Sequence, residues 1–187
     1  MDHRTTAELI FREGVASVLP DRLIASCISL KDNLLIIGAQ SFSLELIQNI
    51  FVIGAGKASA MMAAEVEKIV GNRITEGHIV VKYGHTCKLK YIKVSEAGHP
   101  VPDSNGFKAT KDIMEIAKRA DNNDLVICLL SGGGSALLTD FPEGSSPEEL
   151  ITVNNLMINS GACIREINAV RKHLSKVKGG QLARAVC

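Results

Sequence analysis

IFVIGAGKASAMMAAEVEKIV, residues 50–70, is the stretch on which the fold turns. Ile50 to Ile53 is a continuous, β-branched-rich apolar run, the pattern of a strand buried on both faces of a parallel sheet. Gly54 and Gly56 form a turn, Ala58 to Val70 is strongly helix-forming, and Gly71 stands where such a helix ends. Downstream, the pattern predicts strands at 78–83 and 91–96, a loop containing Pro100 and Pro102, and a helix starting near Ser104 as its N-cap. A turn at Asp121–Asp124 precedes a second fully apolar strand, LVICLLS, at 125–131. Ser146, placed before Pro147, Glu148 and Glu149, starts a helix that runs to about Ser160. A further helix over 164–175 breaks at KVKGG, and another begins at Gln181.

Upstream, residues 5–18 read as a helix with Thr5 or Thr6 as N-cap and Ala7, Ile10, Gly14, Val15 and Val18 along one face. Pro20 and Asp21 mark a break, and a short helix over about 21–28 follows. NLLIIGAQ and SFSLE then form an edge hairpin or one bent strand. Strands alternating with helices imply a layered α/β fold with a mostly parallel sheet of four or five strands.

The 187 residues suit one domain, or one with a small appendage. Aromatic residues make up 4% and Trp is absent, so the core is aliphatic. Lys and Arg number 21 against 20 Asp and Glu, a net charge of +1, so no global field draws in nucleic acid or an acidic membrane. A local basic cluster can still hold a small anion. The cysteines, Cys27, Cys87, Cys128, Cys163 and Cys187, are scattered and form no C-x-x-C, which argues against a zinc site or a thioredoxin-like motif. They are expected to act as small buried hydrophobes. The polar N-terminus lacks a signal region and no apolar run reaches the length of a membrane span, so the expected location is the cytoplasm.

Four segments carry candidate chemistry. In VIGAGKAS, 52–59, a strand, a glycine turn with Gly54 and Gly56, and Lys57 at a helix start make an anion site from free N–H groups, the helix dipole and a full charge. It completes neither the P-loop, since only Ala55 separates the glycines, nor the dinucleotide fingerprint, since Ser59 stands where the third glycine belongs. The plainer alternative is a packing turn with Lys57 solvated. In LLSGGGSALL, 129–138, Gly132, Gly133 and Gly134 between Ser131 and Ser135 follow a strand, where ligands bind in open α/β sheets. Glycines there let anionic oxygens reach backbone N–H groups; the alternative is a tight turn. Ser135 is disfavoured as an acyl nucleophile because Leu137 stands where G-x-S-x-G requires glycine. In EAGHPVPDSNG, 96–106, His99 lies near Glu96 and Asp103 and can orient a hydroxyl or a metal-bound water, or simply brace a proline loop. REINAVRKHLSKVKGG, 165–180, carries Arg171, Lys172 and Lys178 among other basic residues, either a solvated face or a phosphate-binding one.

GAGKAS, KYGH, EAGHPVPD, LLSGGGSALL and INAVRKHLSKVKGGQLA occur in that order, and together they resemble the glycerate 2-kinase family of the MOFRL type, also labelled hydroxypyruvate reductase. The resemblance runs from the first helix to residue 187. It implies a three-layer α/β/α Rossmann-like N-terminal domain, here incomplete at its C-terminal end, with the C-terminal domain absent. It also implies transfer of phosphoryl from ATP to D-glycerate, giving 2-phosphoglycerate, with Mg2+ or another divalent cation. By motif, Lys57 is the catalytic lysine, Gly132 to Ser135 cradle phosphate, and His99, Arg171, Lys172 and Lys178 line the cleft; no metal ligand is assigned. A chain lacking the second domain is expected to be inactive alone and to expose apolar surface around residues 125–138 and the last helices, with self-association as the result. The competing readings are an NAD(P)-dependent hydroxypyruvate reductase, weakened by the missing third glycine, and a non-catalytic anion-binding fragment.

Overall fold

The computed structural model describes residues 2–186. Helices α1 (His3–Ser17) and α2 (Pro20–Cys27) lead into three short strands, β1 (Ile28–Lys31), β2 (Leu34–Ile37) and β3 (Gln40–Ser43). Then follow β4 (Ile50–Ala55), α3 (Ser59–Val70), β5 (Glu76–Lys82), β6 (Ile92–Ala97), α4 (Ser104–Arg119) and β7 (Leu125–Leu130). The single-turn α5 (Gly134–Leu137), then α6 (Pro147–Asn159), α7 (Ile164–His173) and the short α8 (Gln181–Arg184) complete the order.

Strands β6, β5, β4 and β7 form one sheet in that order, every pair parallel. Alternation along β4 builds the layers. Ile50 and Val52 point to one face, onto Ala60, Ala63, Val66 and Val70 of α3, with Ile24 and Leu35 beyond. Phe51, Ile53 and Ala55 point to the other, onto Ala109, Ile113 and Ala117 of α4. Both helices meet the sheet through alanines, which bring the helix axes close. The architecture is α/β/α and Rossmann-like, with an aliphatic core. Among the described residues no helix is long and apolar enough to cross a membrane.

Several local expectations change. Residues 33–45 form the hairpin rather than one bent strand, β2 against β3, and β1, which begins where the short helix was expected to end, adds a third strand, so that the three make an antiparallel meander separate from the parallel sheet. Asp2, not Thr5 or Thr6, sits at the N-cap of α1, and that helix buries none of its residues. Asp103, not Ser104, caps α4, because its carboxylate accepts the Gly106 N–H. Ser146 does start α6, in a capping box with Glu149. The apolar run of β7 is an edge strand: Ile127 and Leu129 are buried against the α3 layer while Cys128 and Leu130 are exposed on the other face. The cysteines are not a buried set either. Cys27, Cys128 and Cys163 are exposed and Cys87 is half-buried, while Cys187 lies outside the described residues.

Candidate phosphate-binding site

Because the sheet is parallel, its four strands deliver their carboxyl ends to one edge. Lys57 follows β4, Lys82 closes β5 with His85 just beyond, His99 follows β6, and Ser131 to Gly134 follow β7. Gly54 and Gly56 explain how β4 and β7 come together there. A Cβ on Gly54 would strike the Leu129 carbonyl oxygen, and one on Gly56, whose φ is +141°, would strike Ser131. Both glycines therefore serve strand approach beneath the turn. The two glycine turns are then tied: Lys57 N–H donates to the Gly132 carbonyl at 3.0 Å, and Ser131 N–H to the Ala55 carbonyl at 3.1 Å. The Ser131 hydroxyl accepts the Ala58 N–H at 3.0 Å, at the start of α3, and the Ser59 hydroxyl donates to the Leu129 carbonyl at 3.1 Å.

The glycine triplet has three separate reasons. Gly132 is open: a Cβ there would meet nothing within 4 Å. Gly133 is left-handed, φ +89°, and a Cβ on it would lie 2.9 Å from His99 Nε2 and 3.4 Å from Lys57 Cε. Gly134 packs against the Ala55 carbonyl, 2.9 Å from where its Cβ would stand. His99 and Lys57 thus flank the turn from two directions. Burial, then the charges of Lys57 and Lys82, lower the His99 pKa, so its ring is neutral at pH 7. Tyr83, in the turn after β5, donates to Asp103 at 2.7 Å, which ties that turn to the start of α4. The Gly84 N–H donates to Glu96 at 2.6 Å.

Arg171 and Lys178 come together at a second place. They line a cavity of about 120 Å³ bounded by Pro100, Ser135, Asn154 and the α6 and α7 helices. Arg171 Nε donates to Asn154 Oδ1 at 2.9 Å, and Lys178 Nζ to the Leu138 carbonyl at 2.9 Å. Burial, with Arg171 adding, lowers the Lys178 pKa against the pull of Asp140. Ser135, exposed, borders this cavity and a larger apolar one beside β7. Lys172 joins neither group: it is exposed, and its stem lies over Gly179.

Lys82 and His85 were not among the residues singled out, although KYGH at the end of a predicted strand is the signal that could have found them. Asn154 and Asp140 carry no local signal; their parts appear only when α6 packs on α7 and the loop at Asp140 meets Ser175 and Lys176. Among the described residues no three or more His, Cys, Asp or Glu side chains gather to hold a metal ion. The groups around the turn are cations, glycines and a neutral imidazole, a donor set that does not fit a divalent metal.

A family model described as a domain of unknown function, DUF4147, matches residues 6–187. The glycerate 2-kinase of Pyrococcus horikoshii is 41% identical over 186 residues, covering 100% of this chain and 41% of that protein. The crystal structure of a protein from P. horikoshii OT3 superposes with a TM-score of 0.90 at 40% identity, over 100% of this chain and 42% of that one. The crystal structure of a glycerate kinase from Thermotoga maritima gives a TM-score of 0.81 at 37% identity, over 96% of this chain and 40% of that one. The chain therefore spans about two fifths of the length of these relatives. Glycine turns, lysine and histidine at one sheet edge, with the match along almost the whole chain, lead to one assignment: the chain belongs to the DUF4147 family, that of the MOFRL-type glycerate 2-kinases.

Proposed function

We propose that the chain supplies the phosphoryl-handling wall of a kinase that converts ATP and D-glycerate to ADP and 2-phosphoglycerate. The observation that carries this reading is the open Gly132 next to Gly133, which His99 and Lys57 flank, at the carboxyl edge of a parallel sheet. Phosphoryl transfer relies on positioning and on charge placed where charge develops. Lys57, exposed at the turn, supplies a mobile cation to the transferring group. Gly132 lets a phosphate oxygen approach the backbone without a Cβ in the way. His99, uncharged, offers a hydrogen bond without adding a fixed charge beside the lysine. The facing wall of the cleft is the part of the relatives that this chain does not match, and the present chain is the Rossmann-like N-terminal domain of the whole enzyme. The divalent cation implied by the resemblance finds no cage among the residues of this site, and no step is assigned to it. A reducing compartment suits the four free cysteines among the described residues.

The test joins this chain to the segment of the P. horikoshii relative that it does not match, and follows D-glycerate, ATP and Mg2+ by 31P NMR. Appearance of 2-phosphoglycerate is the expected result. Oxidation of NAD(P)H by hydroxypyruvate without phosphoryl transfer overturns the reading in favour of a reductase. Binding of tripolyphosphate with neither reaction leaves an anion-binding protein and no kinase.

A further inference from the structure

We propose that Asp103 is a positioning residue of the phosphate site: with Tyr83 it locks the turn after β5 to the loop after β6, and so fixes where the His99 ring stands beside the glycine turn. The inference rests on the phosphate-binding role proposed for that turn and adds two residues that act through His99.

Asp103 does more than cap a helix. A cap needs one acceptor, and Oδ1 fills that part by accepting the Gly106 N–H at 3.0 Å. Oδ2 accepts from the Tyr83 hydroxyl, which comes from the end of another strand, at 2.7 Å. Tyr83 Oη in turn accepts the Asn105 side-chain N–H at 2.8 Å. One carboxylate and one hydroxyl thus join the β5 turn, the β6 loop and the first turn of α4. Burial pushes the Asp103 carboxyl up. The Gly106 N–H, the Tyr83 hydroxyl and the N–H groups of Gly98 and Asn105 outweigh it and hold the pKa below the ordinary carboxylate range. The acceptor is therefore ionised at neutral pH, which makes its bonds the stronger kind.

The link to His99 is steric. Gly98, the residue before it, has no room for a side chain: a Cβ there would lie 2.5 Å from the Val101 carbonyl oxygen and 3.2 Å from Asp103 Cγ and Oδ2. The loop from 98 to 103 is closed on itself, with the carboxylate as its inner support. From that loop His99 reaches Gly133, where a Cβ would stand 2.9 Å from its Nε2. An approach this close leaves little slack, and a group displaced by about an ångström no longer meets its acceptor in good geometry. The link to β5 is electrostatic. Lys82 and His85 stand on either side of Tyr83 in the chain, and both, with Lys57, add to burial in lowering the His99 pKa. Tyr83 itself is exposed. A hydroxyl already in water gains little stability from one more bond, so what this bond supplies is geometry.

The experiment uses the 187-residue chain, with the His99 ring followed by NMR and tripolyphosphate affinity by calorimetry. Asp103→Ser keeps a side-chain cap, since serine caps a helix about as well as aspartate, and takes the second oxygen away from Tyr83. Tyr83→Phe removes the hydroxyl alone. Both changes are expected to shift the His99 ring signals. Both should also raise the pH at which the ring titrates, because burial, Lys57, Lys82 and His85 depress it in its present place. Asp103→Ser should weaken tripolyphosphate by about three- to tenfold, the worth of one hydrogen bond. In a His99→Gln background the same change should add nothing, since its effect passes through the ring. A residue that only capped α4 would leave ring and affinity unmoved in Asp103→Ser, and that result overturns the inference, as does an undiminished loss in the His99→Gln background. Failure of the kinase reading looks different: the unaltered chain does not bind tripolyphosphate, while the ring signals still decide whether Asp103 places His99. Should Asp103→Ser not fold, Tyr83→Phe, which leaves the cap intact, decides by the same readouts.

Discussion

At Gly132 and Gly133, adjacent and identical residues do opposite jobs, and substitution separates them. A methyl group on Gly132 meets no protein atom within 4 Å, so Gly132→Ala should leave the thermal midpoint unchanged while lowering tripolyphosphate affinity in a calorimetric titration. Gly133 is left-handed and faces His99, so Gly133→Ala should lower stability by about 1–2 kcal/mol, the cost of that backbone region to a residue with a Cβ. Gly133→Val carries that strain as well and is the poorer probe of binding. Equal effects of the two alanine changes on stability would refute the division of labour. Lys57→Ala in the fused enzyme should lower kcat by about 10²- to 10³-fold, with a much smaller change in KM for D-glycerate, as for other groups that meet charge only in the transition state. An unchanged kcat removes Lys57 from the chemistry.

Among the secondary-structure elements, β5 carries a buried histidine that the proposed chemistry does not use. His78 is 2% exposed, its Nε2 lies 2.8 Å from the Ser95 hydroxyl of β6, and its Nδ1 lies 3.6 Å from Asp112 of α4. Burial, then Lys93, lowers its pKa to about 4, with Asp112 and Glu76 opposing. In the unfolded chain a histidine titrates near 6.5. Between these values the unfolded state binds more protons, so stability falls as pH drops from about 6.5 toward 4 and changes little above that window. Urea midpoints measured across this range should show the loss, and His78→Gln should flatten it; an undiminished slope in the variant places the effect elsewhere. The β4–β7 pair depends on Gly54, whose missing side chain admits the Leu129 carbonyl. Gly54→Ala should cost about 3 kcal/mol in chemical denaturation, the upper end for overpacking, because the obstacle is backbone and cannot rotate away. A neutral substitution would mean that β7 can move away at no cost.

Over the whole molecule, the two faces of the sheet are unequally covered. On one side β7 packs against α3, with Ile28 and Leu35 of the meander in the same buried cluster. On the other, Cys128 and Leu130 border a cavity of about 630 Å³ together with Val177, Leu182 and Val186. Leu130 is 59% exposed, and on α1 Ile10 and Phe11 are 69% and 70% exposed. Cys128, Leu130, Val177, Leu182 and Val186 line one hollow, and an exposed apolar patch promotes association. Sedimentation of the 187-residue chain should therefore depend on concentration, and Leu130→Glu should shift it toward monomer. A concentration-independent monomer before and after the change would show that the β7 face does not drive contact.

The sequence by itself determined the elements whose signals are local. The apolar run at 50–53 followed by glycines and a helix-forming segment is β4, its turn and α3; Ser146 with Pro147 and Glu149 is the start of α6; lysine and glycines at strand ends mark the sheet edge proposed to take an anion. Such signals need only neighbours in the chain: a period of two or of 3.6, a turn residue, a cap. Only the tertiary structure decided the matters that depend on distant partners. It made β7 an edge strand although its composition matches that of buried β4, because burial depends on what lies beside a strand. It turned Gly54 and Gly56 toward β7, engaged the Ser131 hydroxyl at the start of α3, and left α1 uncovered. It also divided one basic segment, placing Arg171 and Lys178 in a cavity and Lys172 outside it. Charge and residue type are written along the chain, but which side chains share a space is set by packing between segments that the sequence keeps far apart.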